Sequence, residues 1–70
     1  MKTKVGDIIE IVMPDEESLK RGVKLGQIGK VTEEYEFGCF AKNPLWGETI
    51  VGFWNEEFEV LNKSEGLNDD

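Results

Sequence analysis

The chain has no histidine and a single cysteine, Cys39, and these two scarcities limit the chemistry that it can perform. Without histidine, no Ser–His or Cys–His nucleophile pair can be assembled, and the commonest general base is missing. One cysteine excludes an internal disulfide, and one cysteine without histidine cannot supply the usual ligands of zinc. We therefore predict that the protein is not an enzyme and that it holds no cofactor and no metal.

Long apolar stretches are also missing from the sequence. No stretch approaches the roughly 18 apolar residues of a membrane-spanning helix, and residues 1–7 lack the apolar run of a signal peptide. A chain poor in cysteine fits a reducing compartment. These features predict a cytoplasmic protein that does not interact with a membrane.

Basic residues are scarce, since eight Lys and Arg residues face fifteen Asp and Glu residues, for a net charge of −7. The imbalance lies in the second part of the chain: residues 1–30 carry six basic and five acidic residues, whereas residues 31–70 carry two and ten. A strongly acidic protein is repelled by phosphate backbones at long range. The charge therefore favours a basic protein partner.

Seventy residues are enough for one domain with a small core. A chain of this size buries only about 60% of the surface that its unfolded form exposes, so its stability is marginal. We place the folded domain at residues 1–61. Residues 62–70 are polar and without periodicity, which predicts a disordered acidic tail.

Apolar periodicity predicts five short strands, at residues 5–13, 27–35, 38–41, 48–54 and 59–61. The connection over residues 14–26 is long and charged, and residues 15–21 allow one or two helical turns that stop at Gly22. Residues 55–58 predict a single turn capped by Asn55. Seven apolar residues are predicted to fill the core or to fix the first loop to it: Leu19, Val23, Leu25, Val31, Phe40, Phe53 and Phe58.

Two glycines three apart, Gly26 and Gly29, close the first loop and begin the strand that carries Val31. Glycine inside a strand marks a bulge or a close approach of another group to the backbone. Together with the segments at residues 5–11, 51–55 and 56–61, the segment 25–31 resembles the Src-homology-3-like (SH3-like) barrels, in particular the small barrels of the KOW and Mib-repeat types. This resemblance spans residues 5–61 and implies an all-β, five-stranded barrel with a long first loop and a one-turn 3-10 element before the last strand.

Four aromatic residues at strand ends or in turns form the first candidate site: Tyr35, Phe37, Trp46 and Trp54. Exposed Trp and Tyr beside charge are enriched at binding hot spots, although Trp46 and Trp54 could instead cap the open ends of the core. Barrels of the resembled family often bind partners in an aromatic groove beside an acidic first loop. By that resemblance, Asp15, Glu16 and Glu17 join the protein-binding surface.

Four basic residues form the second candidate site: Lys20, Arg21, Lys24 and Lys30. They could meet phosphates, with Gly22 and Gly26 allowing close approach of the backbone. They could also simply balance the acidic residues of the same loop. The acidic groups at residues 33–36 and 56–59 lack the spacing of a calcium loop, and we interpret them as solvated surface.

The leading functional prediction is a small, non-enzymatic binding module. Its resemblance to short barrels of bacteria and their phages implies an accessory protein that binds a host protein. A sharper version of this prediction is that the acidic half imitates the charge of nucleic acid and so inhibits a host protein that binds DNA or RNA. The alternative is a KOW-like adaptor that binds nucleic acid or a ribonucleoprotein through the basic first loop. Cys39, between Gly38 and Phe40, is interpreted as a small buried residue, because its acidic surroundings do not favour a thiolate.

Overall fold

The computed structural model describes residues 3–47 and 49–61. These residues form five strands, β1 (Ile8–Ile11), β2 (Ile28–Tyr35), β3 (Gly38–Lys42), β4 (Val51–Trp54) and β5 (Phe58–Val60), and one helix, α1 (Glu16–Lys20). Two 3-10 turns lie at Pro44–Trp46 and Asn55–Glu57. The predicted tail at residues 62–70 lies outside the described residues.

The strands form one antiparallel sheet in the order β4-β3-β2-β1-β5. β2 is the central strand and pairs with β1 through its first residues and with β3 through the rest. The prediction of an all-β, five-stranded domain is confirmed. Over residues 3–47 and 49–61 the two edge strands do not pair with each other, so the sheet is not closed.

A β-bulge interrupts the pairing of β2 with β3. Val31 pairs with Ala41, but the next paired residue of β2 is Glu33, which lies opposite Phe40. Thr32 is the extra residue, and its hydroxyl donates to the Phe40 carbonyl at 3.3 Å. Because side chains alternate between the two faces of a strand, one extra residue reverses which residues of β2 face the core.

The core lies on one face of the sheet, where alternate residues of the strands point inward. Ten buried apolar residues form it: Ile9, Ile11, Val23, Val31, Cys39, Ala41, Trp46, Val51, Phe53 and Phe58. The predicted burial of Val23, Val31, Phe53, Phe58 and Cys39 is therefore confirmed.

Three of the predicted core residues are exposed instead. Phe40 lies between Cys39 and Ala41, which both face the core, so strand alternation turns Phe40 to the opposite face. Leu19 and Leu25 also face solvent, because the short helix α1 buries Ser18 and the loop after it buries Val23 alone.

The ends of the short elements follow from local hydrogen bonds. Asp15 is the N-cap of α1, and its Oδ1 accepts a hydrogen bond from the Ser18 backbone N–H at 2.9 Å. Asn43 caps the first 3-10 turn in the same way, through the Leu45 N–H at 2.7 Å. The predicted Asn55 cap is wrong: Asn55 lies inside the second turn, and its Nδ2 donates to the Glu36 carbonyl at 3.0 Å.

Trp46 packs across the central strand at Gly29. Its indole Nε1 donates to Gln27 Oε1 at 2.7 Å, and its ring lies 5.5 Å from that of Phe53 between centroids. A Cβ atom added at Gly29 would lie 2.7 Å from Cη2 of the indole ring. Gly29 is therefore the place where the backbone must lack a side chain for the tryptophan to enter the core.

Replacing Gly29 tests this packing. We expect Gly29→Ala to lower the free energy of unfolding by about 1–3 kcal/mol, because the added methyl group overlaps a buried ring. Chemical denaturation measures the loss, and Ile28→Ala, on the exposed face of the same strand, is the control. In a Trp46→Phe background the cost should shrink, because phenylalanine lacks the Cη2 atom; an unchanged cost in that background would contradict the explanation.

Candidate functional site

The face of the sheet opposite the core carries a cluster of aromatic side chains, here called the aromatic groove. It is formed by Tyr35 at the end of β2, Phe37 in the β2–β3 turn, Phe40 on β3 and Trp54 on β4. Each of these four residues exposes between 40% and 57% of its surface. An apolar patch of this kind on a small protein is typical of an interaction site.

Strand register sets the arrangement of the aromatic groove. Tyr35, Gly38 and Trp54 lie in one row across β2, β3 and β4, and Glu33, Phe40 and Gly52 lie in the next row. The bulge at Thr32 is what brings Glu33 and Tyr35 to this face, since uninterrupted alternation from Val31 would turn both toward the core. The site therefore depends on one irregularity in the central strand.

Glycines provide the floor of the aromatic groove. A Cβ atom at Gly52 would lie 3.1 Å from the Phe40 ring, and one at Gly38 would lie 2.1 Å from the Phe53 carbonyl oxygen. At Gly38 the backbone of β3 therefore lies against that of β4, and at Gly52 the Phe40 ring lies against the backbone of β4. The resulting depression measures about 430 Å³, enough for one or two side chains of a partner.

The aromatic rings stand in two tilted pairs. Tyr35 and Phe40 have their centroids 5.6 Å apart at an interplanar angle of 59°, and Phe37 and Trp54 are 6.3 Å apart at 33°. Ring faces on both sides of a groove carry negative quadrupole density, which attracts cations. The rings thus offer a surface for a planar or cationic group.

Acidic side chains lie at the Tyr35 end of the aromatic groove. Glu33 accepts a hydrogen bond from the Tyr35 hydroxyl, and this bond raises the pKa of the Tyr35 phenol above its usual value. Glu36 is exposed in the turn between Tyr35 and Phe37. The carboxylates add negative charge where the aromatic rings are exposed, so both features favour a cation.

The structure separates the two tryptophans of the first candidate site. Trp54 lines the aromatic groove, whereas Trp46 exposes only 3% of its surface and belongs to the core. Phe40, which the sequence assigned to the core, takes the place of Trp46 among the aromatic residues of the site. A stricter count of alternation around Cys39 would have placed Phe40 on the outer face.

The acidic residues of the first loop have other places in the fold. Asp15 caps α1, Glu16 is exposed in its first turn, and Glu17 pairs with Arg21 at 3.7 Å. None of the three lines the groove. The lining of the aromatic groove therefore does not include the acidic first loop, and the role of these three residues in binding stays a prediction.

The predicted basic cluster is divided between two parts of the fold. Lys20 and Arg21 lie at the end of α1, and Lys24 lies in the loop that follows. Lys30 lies on β2, directly opposite Lys42 of β3. Sequence reasoning missed Lys42 because only the strand register makes these two lysines neighbours.

A buried carboxyl group, that of Glu57, forms a pair with Asp15. Glu57 exposes only 4% of its surface, and its Oε1 has no hydrogen-bond partner among the described residues. The carboxyl group of Asp15 lies beside it, close enough for the two groups to share a proton. Burial, followed by the bond and the charge of Asp15, raises the pKa of Glu57 to about 7, while the Ser18 N–H lowers that of Asp15.

Other kinds of site find no support in the part of the chain that the structure describes. Those residues contain no group of three or more Cys, Asp or Glu side chains that could hold a metal ion. Among the same residues, no helix is long and apolar enough to cross a membrane. Comparison of the chain with protein-family models, with curated proteins and with solved structures found no match.

The Glu57–Asp15 pair predicts an unusual pH dependence of stability. The pKa of Glu57 is raised in the folded state, so the native protein binds more protons than the unfolded chain between about pH 4.5 and pH 7. Stability should fall as the pH rises through this window, by up to about 3 kcal/mol. Thermal unfolding monitored by circular dichroism between pH 4 and pH 8 measures the effect.

Glu57→Gln should flatten this profile and raise the melting temperature at pH 8, because glutamine keeps the donor to Asp15 without a charge to bury. Glu59→Gln is the matched control, since it removes the same charge at an exposed position of β5. Equal pH profiles for the two variants would show that the Glu57–Asp15 pair does not cause the dependence.

Proposed function

We propose that the protein is a non-enzymatic binding module whose aromatic groove holds an arginine or lysine side chain from a basic segment of a protein partner. The observation that carries this proposal is the combination of four half-exposed aromatic residues with Glu33 bound to Tyr35 among them. Cations are attracted to aromatic faces, and a desolvated contact of this kind contributes up to about 2 kcal/mol.

Charge complementarity selects a basic partner over an acidic or neutral one. The protein carries a net charge of −7, and the end of the aromatic groove bears Glu33 and Glu36. An acidic segment would be repelled there, and a purely apolar one would displace water from the carboxylates without replacing its hydrogen bonds. The same charge would let the module compete with nucleic acid for a basic surface of a host protein, as an accessory protein of the small-barrel type would.

The finer fold assignment belongs to the same proposal. We infer a Src-homology-3-like arrangement, supported by the position of β5 beside β1 and by the 3-10 turn Asn55–Glu57 immediately before β5. The long loop that carries α1 would occupy the place of the first loop in such barrels. Fold alone does not assign function, so the binding proposal depends on the groove.

Nucleic-acid binding through the first loop receives less support. Arg21 is paired with Glu17, and Lys30 lies on the sheet rather than with Lys20 and Lys24. A phosphate backbone would need several cations on one surface to overcome the net negative charge.

Selection from a random peptide library tests the proposed function. Twelve-residue peptides displayed on phage are selected on the wild-type protein and counter-selected on the Trp54→Ala variant. We expect the enriched peptides to contain Arg or Lys. Their affinity for the Trp54→Ala variant should be at least about tenfold weaker than for the wild-type protein, as for a hot-spot residue. Leu45→Ala, at an exposed apolar residue outside the aromatic groove, should leave the affinity unchanged.

Enrichment of acidic or uncharged peptides, or equal retention by wild-type protein and Trp54→Ala, would contradict the proposal. Backbone amide chemical shifts then locate the bound peptide. Shifts at Phe40, Gly52 and Trp54 are expected, whereas shifts confined to residues 20–24 would move the site to the basic first loop.

A further inference from the structure

The outer face of the sheet continues beyond the aromatic groove to a pair of lysines. Lys30 of β2 and Lys42 of β3 are cross-strand partners. Lys42 lies two residues after Phe40 on β3. Both lysines are exposed, and alternation along β3 places Gly38, Phe40 and Lys42 on the same face. The outer face therefore has three successive rows: one with Tyr35 and Trp54, one with Glu33 and Phe40, and one with the two lysines.

Like charges directly opposite each other in an antiparallel pair are destabilising. Within residues 3–47 and 49–61, neither Lys30 nor Lys42 forms an ion pair with an acidic side chain. Both line a second depression of about 390 Å³, together with Asn43, Thr49 and Ile50. This part of the face thus presents two lysines that form no ion pair among the described residues, one row away from Glu33 and next to a groove of opposite electrostatic character.

We propose that the segment bound by the aromatic groove also carries an acidic side chain, four residues from its basic one, which binds between Lys30 and Lys42. This inference rests on the proposed function of the groove and adds the second half of the recognition. The aromatic groove attracts a basic side chain and repels an acidic one, and the two lysines do the reverse. The segment can therefore bind in only one direction along the face.

The spacing follows from strand geometry. Gly38, at the level of Tyr35 and Trp54, and Lys42 are four residues apart on β3, which is about 13 Å at the rise of an extended chain. A partner segment lying extended along β3 covers the same distance in four residues. An even spacing also keeps its two charged side chains on the same side, facing the sheet.

Synthetic peptides test the spacing. Three acetylated nonapeptides share a background of alternating Val and Ser and carry Arg at position 3. They differ in the second charged position: one has Asp at position 7, one has Asp at position 6, and one has Asn at position 7. Titration followed by amide chemical shifts should show the tightest binding for Asp at position 7, about three- to tenfold tighter than for Asn. Asp at position 6 should bind like the Asn peptide, because its side chain points away from the sheet.

Charge exchange tests the contact itself. Lys42→Glu should abolish the preference for Asp over Asn and should favour a peptide with Lys at position 7. Lys24→Glu is the matched control, because it makes the same change of charge in the first loop and should keep the preference for Asp. Lys42→Gln, which removes the charge without reversing it, should give an intermediate result, and amide spectra establish that each variant is folded.

The outcomes separate the two proposals. In one outcome, the Trp54→Ala substitution weakens peptide binding, but the peptides with Asp and with Asn at position 7 bind equally well. This result would overturn the inference and leave the proposed function in place. The absence of any binding sensitive to Trp54→Ala would overturn both. Displacement of the Asp peptide by a twelve-nucleotide single-stranded DNA, with shifts at Lys30 and Lys42 and no preference for Asp, would show the lysine pair to be a phosphate site and would also overturn the inference.

Discussion

The β-bulge at Thr32 is the constraint on which the arrangement of both faces depends. Before it, Val31 of the central strand faces the core opposite Ala41; after it, Glu33 and Tyr35 face outward beside Phe40 and Gly38. Without the extra residue, strict alternation would turn Glu33 and Tyr35 toward the core; with it, Glu34, which pairs with Cys39, is the acid of β2 on the inner side. The same irregularity thus exchanges the acid that faces inward and supplies one wall of the aromatic groove.

Pairing of a glycine with a large aromatic ring occurs on both faces of the sheet. On the core side, Gly29 leaves room for the buried indole of Trp46. On the outer side, Gly52 lies beneath the ring of Phe40. A domain of this size has no deep core. Because Gly29 and Gly52 lack side chains, the two large rings pack directly against the strand backbone. The Trp46 ring contributes apolar contact to the core, and the Phe40 ring contributes to the binding surface.

Charged side chains have different roles in the interior and on the outer face of the sheet. Glu57, with its carboxyl group beside Asp15, ties the last 3-10 turn to the start of α1, and its backbone carbonyl also accepts hydrogen bonds from Val12 and Met13. On the outer face, Tyr35 and Trp54 lie at one end, Lys30 and Lys42 at the other, and Glu33 and Phe40 in the row between them. A protein with a strong net negative charge therefore carries a surface with two distinct ends, which total charge alone does not describe.

The sequence by itself determined the all-β class, the five strands, the helical turn after Asp15 and the burial of Val31, Phe53 and Phe58, because apolar periodicity, glycine positions and capping residues are local signals. It did not determine that Trp46 is buried, nor that Lys30 lies beside Lys42. The first depends on the contact of the indole ring with Gly29 and the second on strand register, and both join residues distant in the chain. Only the tertiary structure decided these contacts and the face of Glu33 and Tyr35, because an extra residue in one strand changes the face of every side chain after it.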